Sequence, residues 1–113
     1  MKALILIISI LFVSCKKDYQ VMITYKVNEP NLREYLHCNQ IEVTYLENGN
    51  TYTQVVDTGW THTFEHKKHS KIYLKVKPLC NLSQVVGLGF VNGGWYYQAI
   101  GTRDYPGEFT AKP

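Results

Sequence analysis

Along the chain beyond residue 19, apolar and polar positions alternate almost one for one, and the alternation breaks where turn-forming residues cluster. Tyr19, Val21, Ile23, Tyr25 and Val27 alternate with Gln20, Met22, Thr24 and Lys26. A period of two puts one set on each face of a strand, so this stretch reads as half-buried β-structure. Asn28-Glu29-Pro30-Asn31 ends it, because proline cannot donate to a ladder and asparagine favours turns. Leu32 to Asn39 has no decisive period and reads either as a helical turn or as a long connection. Ile41, Val43 and Tyr45 share a face of the second strand, with Glu42 and Thr44 opposite. Asn48-Gly49 follows, the strongest short hairpin signal, and Thr51 to Val56 is the return strand.

The second half repeats the pattern. Asp57-Thr58-Gly59 is a turn. Trp60, His62 and Phe64 share one face of a fourth strand, and His66 to Ser70 reads as a polar loop. Ile72, Leu74 and Val76 face inward on a fifth strand, which Pro78 stops. Val85 to Val91 is apolar on both faces and carries Gly87 and Gly89, so it reads as a central strand closely approached by another backbone. Asn92-Gly93-Gly94 turns into a seventh strand from Trp95 to Ile100, and a short last strand is expected around Phe109. About seven or eight short strands at this spacing predict an all-β fold, an antiparallel sandwich of the immunoglobulin or transthyretin kind.

Composition narrows the function classes. Nine tyrosines among 113 residues suit strands. The formal charge of +3 and only two arginines, Arg33 and Arg103, are too little for a nucleic-acid footprint. No nucleophile elbow surrounds Ser70 or Ser83, and Gly87, Gly89 and Gly93 fit no phosphate loop, so the chain reads as no enzyme and as needing no cofactor. His62, His66 and His69 form the richest polar cluster, an alternative metal site through imidazole, but Lys67, Lys68 and Lys71 among them oppose a cation.

The first residues carry a different message. Met1-Lys2 precedes an apolar run from Ala3 to Val13 interrupted by Ser9. It is short of the ~20 apolar residues that a spanning helix needs and has the order of a signal peptide, an apolar signal helix. Its end, Phe12-Val13-Ser14-Cys15, resembles the lipobox of bacterial lipoproteins, with a small residue before the cysteine and Phe12 in place of the usual leucine. That resemblance implies removal of residues 1–14, a lipid on Cys15, a tether over 15–19 and a mature domain over 20–113. It implies a membrane-anchored protein of the bacterial cell envelope, at the outer membrane or on the periplasmic face.

A second resemblance lies in the middle third. Val43-Thr44-Tyr45, the Asn-Gly turn, Trp60 to Phe64 and Ile72-Tyr73-Leu74 resemble the β-sandwich core of the MmpS family, small membrane-anchored periplasmic proteins that assist exporters. The resemblance implies an accessory role beside an envelope protein partner. MmpS proteins have a membrane helix where this chain has Cys15, and their cysteines sit nearer the C-terminus than Cys38. A glycan- or lipid-binding domain is the alternative.

Two further expectations concern the mature domain. The periplasm permits disulfides, Cys38 precedes strand two and Cys80 follows strand five. If the strands between alternate in direction, both cysteines lie at the same end, and they are expected to pair. Trp95, Tyr96 and Tyr97 are consecutive, so they cannot all enter one core. At least one ring is expected outside or under the tail, and these three are the candidate partner-binding residues. If Trp95 and Tyr97 share the core, Tyr96 is the outer ring.

Overall fold

A computed structural model of the chain describes residues 20–29, 38–81 and 83–113. The leader, Cys15, the tether and the ambiguous stretch after Pro30 lie outside the described residues, apart from Cys38 and Asn39 at the end of that stretch. Eight strands follow in order: β1 (Gln20–Asn28), β2 (Ile41–Glu47), β3 (Asn50–Val56), β4 (Thr61–Lys67), β5 (Ile72–Pro78), β6 (Gln84–Val91), β7 (Trp95–Thr102) and β8 (Gly107–Ala111). They form two four-stranded antiparallel sheets. Sheet A has the order β4-β1-β6-β7 and sheet B the order β3-β2-β5-β8. The sandwich expected from the alternation is therefore the observed architecture, with eight strands.

The alternating residues build the core between the sheets. Val21, Ile23, Tyr25 and Val27 of β1 are buried, as are Ile41, Val43 and Tyr45 of β2, and Ile72, Leu74 and Val76 of β5. Each fully buried aliphatic side chain contributes roughly 1.5–3 kcal/mol, set against the entropy of ordering the chain. Tyr25 is wholly buried, and its hydroxyl donates to the carbonyl of Leu46 at 2.7 Å, which satisfies the one polar group that a core tyrosine brings. Burial drives its ionisation far above the ordinary tyrosine range.

Two connections stay within a sheet. Asn48 and Gly49 join β2 to β3 with φ of 48° and 86°, the paired positive angles of a type I′ hairpin turn. Asn92-Gly93-Gly94 joins β6 to β7. The remaining connections cross from one sheet to the other. Register places the start of β2 beside the end of β5: Ile41 is opposite Pro78, and Leu79 N donates to Gln40 O at 2.9 Å. Cys38 and Cys80 flank that junction with Cα atoms 5.7 Å apart, and they form a disulfide across a separation of 42 residues. Both chain directions needed for the bridge follow from the antiparallel pairing of β2 with β5.

One local reading needs correction. His66 does not open a loop but continues β4, and it is 1% exposed. The inward set of β4 runs on past Phe64, so His66 enters the core and its Nε2 bonds the carbonyl of Ser70 at 2.9 Å. The turn begins after Lys67.

Candidate binding surface

β6 and β7 form the most distinctive surface because their inner and outer faces are inverted in size. On the inner face of β6 stand Val85, Gly87, Gly89 and Val91. A Cβ at Gly87 would lie 2.7 Å from a methyl of Val76, and one at Gly89 would lie 2.6 Å from the Phe109 ring. Sheet B therefore presses against the backbone of β6, as the two glycines suggested. The bulk of β6 lies on the other side: Val86, Leu88 and Phe90 point outward and are half-buried. The strand is central within sheet A, as its apolar pattern and glycines suggested, and of its two apolar faces one is covered by sheet B.

β7 extends the same outer surface. Its register sets Tyr96 opposite Phe90, Gln98 opposite Leu88 and Ile100 opposite Val86. Tyr96 is 55% exposed and Ile100 49%. The Phe90 and Tyr96 rings meet with centroids 5.7 Å apart. Met22 on β1 is also exposed at the same end as these rings, its backbone paired with Asn92. The result is an apolar patch on sheet A running from Met22, Phe90 and Tyr96 to Leu88, Val86 and Ile100. A patch of this sort marks an interaction surface more often than scattered single residues do.

The aromatic trio is thus divided. Tyr97 faces inward, partly buried, and stacks on Phe109 with centroids 5.9 Å apart. Tyr96 is the outer ring. Trp95 has the inward parity of Tyr97 but stands at the start of the strand, beyond the cover of sheet B, and is 72% exposed. Of the three, two are exposed, on different sides of the strand. Phe90, Leu88, Val86, Ile100 and Met22 were missed from the sequence. The available signal was that glycine occupies alternate positions of β6, so the large residues between them share the opposite face.

The histidines have structural surroundings. Trp60, His62, Phe64 and His66 line one face and close the side of the sandwich between β4 and β2. His62 stacks at 5.6 Å on Phe64 and tilts at 5.1 Å against Tyr45. Its Nε2 pairs with the Glu47 carboxylate. His66 meets Phe64 edge-on at 5.8 Å, and its Nδ1 is buried without a hydrogen-bond partner. His69 lies in the exposed turn at φ 67°. The fold does not bring the three imidazoles together. Among the described residues, no group of three or more His, Cys, Asp or Glu is placed to hold a metal ion.

A cleft of about 420 Å³ opens between the β2–β3 hairpin and the β4–β5 turn, lined by Leu46, Asn48, His66, Lys67, Ser70 and Lys71. It lies at the end of the sandwich where β1 begins, as does Trp95. Compared with known proteins, the chain matches no family model, no curated protein and no solved structure.

Proposed function

We propose that this protein is a lipid-anchored lipoprotein of the bacterial cell envelope whose β-sandwich is a binding or accessory module and not an enzyme, beside an envelope protein partner such as an exporter. The lipobox-like Phe12-Val13-Ser14-Cys15 supports the anchor. The observation that carries the binding role is the apolar outer face of β6 and β7. An antiparallel sandwich solvates its outer faces by default, so the half-buried Leu88 and Phe90 with exposed Tyr96 and Ile100 need a partner to cover them. Tyr96 and Phe90 supply a large, stiff contact area at little entropy cost, which is how aromatic residues anchor an interface.

The anchor and the surface are tested separately. Cys15→Ser is expected to abolish labelling with a palmitate analogue in cells, and retained labelling would refute the anchor. A photo-crosslinking residue at Tyr96 is expected to give one defined adduct in the intact envelope. The same residue at Thr44, on the outer face of sheet B, is expected to give none. Equal adducts from both positions, or none from Tyr96, would remove this surface from consideration.

A further inference from the structure

The registers gather an uneven set of side chains at the end of the sandwich where β1 begins. Gln20 is opposite Lys67, and Met22 is paired with Asn92 through Asn92 N to Met22 O at 2.8 Å and Met22 N to Asn92 Oδ1 at 2.9 Å. The β4–β5 turn, the Asn48-Gly49 turn, the Asn92–Gly94 turn and the end of β8 therefore share this end. Asn48 Nδ2 donates to Glu65 O at 3.0 Å, and His69 N donates to Pro113 O at 2.6 Å, which tie the two sheets together there. The side chains are Lys67, Lys68, Lys71 and Lys112, all exposed, against Glu47 and Glu65, a surplus of two positive charges. Glu47 is already paired with His62. The opposite end has Lys26, Lys77 and Arg103 against Glu29, Glu42, Asp57 and Asp104, a surplus of one negative charge among the described residues. Trp95 projects at the basic end, beyond the cover of sheet B.

We infer that this basic end, with Trp95, seats the domain on the anionic surface of the bilayer that holds its lipid anchor. The inference rests on the proposed anchor at Cys15. Four residues lie between Cys15 and Gln20, and the five steps reach at most ~18 Å. A strand of eight residues is ~27 Å long. The end where β1 begins is thus the end held against the membrane, and the other end cannot touch it without the domain folding over its own tether. Lysines close to an anionic leaflet are attracted within a Debye length, and tryptophan settles at the headgroup level with its ring half in the apolar boundary. β1 is an inner strand of sheet A, so Gln20, its first residue, lies between the lysine turn on one side and Trp95 on the other. Two contacts flanking a tether fix an orientation, where a tether alone leaves the domain free to tumble. In this orientation the acidic end points away from the bilayer, and the Leu88–Ile100 part of the apolar face stands clear of it.

Two tryptophans at opposite ends supply the test. Trp60 belongs to the far end, where its carbonyl accepts from Val27 N at 3.1 Å. The lipidated full chain is reconstituted in vesicles of phosphatidylcholine, with and without phosphatidylglycerol, containing lipids brominated near the headgroup. In Trp60→Phe the remaining Trp95 is expected to be quenched when phosphatidylglycerol is present, and in Trp95→Phe the remaining Trp60 is not. Equal quenching of both, or of neither, overturns the proposal. A second arm does not depend on the anchor: full chain carrying Cys15→Ser is sedimented with the same vesicles. It is expected to pellet with phosphatidylglycerol and not with phosphatidylcholine alone. Charge reversal at Lys67, Lys68 and Lys71 is expected to lower that partition at least about tenfold, since each lysine near an anionic surface is worth roughly fivefold. Binding that ignores lipid charge or these three lysines, or no binding at all in this arm, also overturns the proposal. An unlipidated Cys15 with charge-dependent pelleting would refute the anchor and leave the docking surface standing.

Discussion

The outer faces of the two sheets obey different rules. On sheet B, Glu42 is opposite Lys77 and Lys75 opposite Glu108, while Thr44 and Thr53 share a hydrogen bond at 3.1 Å. Opposite charges and threonine pairs across strands are how a solvated sheet face stabilises itself. The β1–β4 half of sheet A does the same, with Thr24 bonded to Thr63 at 3.0 Å. The β6–β7 half does not. There Val86, Leu88 and Phe90 face Ile100, Gln98 and Tyr96 across the ladder. The cause is visible from inside. Sheet B's Leu74, Val76 and Phe109 crowd the backbone of β6 at its middle, so the two central inward positions are glycines and the larger residues between them are turned out. The core is complete without that bulk. Apolar residues that add little to the core are explained by what they meet outside it.

The largest effect tests the frame on which both faces rest. The disulfide closes a loop across a sequence separation of 42 residues, worth ~4 kcal/mol by the chain-entropy relation. Cys38→Ala with Cys80→Ala is expected to lower stability by about that amount. Urea unfolding of oxidised protein and double variant measures it; an unchanged midpoint would mean that the bridge does not constrain the unfolded chain. Next is the crowding beneath the apolar face. Gly87→Val places new atoms against Val76, which is fully buried and cannot yield, and is expected to cost about 3 kcal/mol. A neutral result in the same assay would show that the sheets are farther apart than the glycines imply, and the contrast between the faces would lose its cause.

How far the sequence foretold this molecule depends on the range of the information. The faces of β1, β2 and β5 were legible because strict alternation assigns every residue a side. The hairpin at Asn48-Gly49 was legible because only a few residue pairs accept two positive φ values. His66 was not, because Lys67, Lys68, His69 and Ser70 behind it make the local average polar and hide one more inward step. The central place of β6 and the close approach at Gly87 and Gly89 were legible, but its outward patch was not, because an apolar run on both faces does not say which face a second sheet covers. Trp95 obeyed parity but not burial, since parity gives a direction and cannot tell where sheet B ends. The strand order, with β6 between β1 and β7 and β8 beside β5, depends on distant pairing that local pattern does not encode.

Smaller effects separate the outer face from the core. Tyr96→Ala is expected to cost about 1 kcal/mol, mostly the ring contact with Phe90, while Tyr97→Ala, inward and stacked on Phe109, is expected to cost about 3 kcal/mol. The partner adduct should follow the opposite order, with Tyr96→Ala abolishing crosslinking from a probe at Ile100 and Tyr97→Ala sparing it in whatever fraction remains folded. Equal losses of stability at both positions would make β7 wholly structural.

The smallest effect sharpens the polar side of the comparison. On the outer face of sheet B, the Tyr73 hydroxyl donates to Glu108 Oε2 at 2.6 Å. Partial burial of the ring, then the hydrogen bond and negative charge of Glu108, push the Tyr73 hydroxyl up to about 12. In the unfolded chain it titrates near ~10. The folded state therefore holds this proton more tightly, so the stabilisation is complete below pH ~10 and is lost as pH rises through about 12. Tyr73→Phe removes both the bond and the proton. Near neutral pH it is expected to cost less than about 1 kcal/mol, the net value of one exposed hydrogen bond. Tyr25, whose ionisation is shifted in the same direction, titrates in both proteins, so the comparison of wild type with Tyr73→Phe isolates Tyr73. Their stability curves are expected to converge between pH ~10 and about 12. A constant gap across that range would show that Glu108 does not hold the proton. The outer face of sheet B would then be polar by composition alone, without the specific pairing that its register suggests.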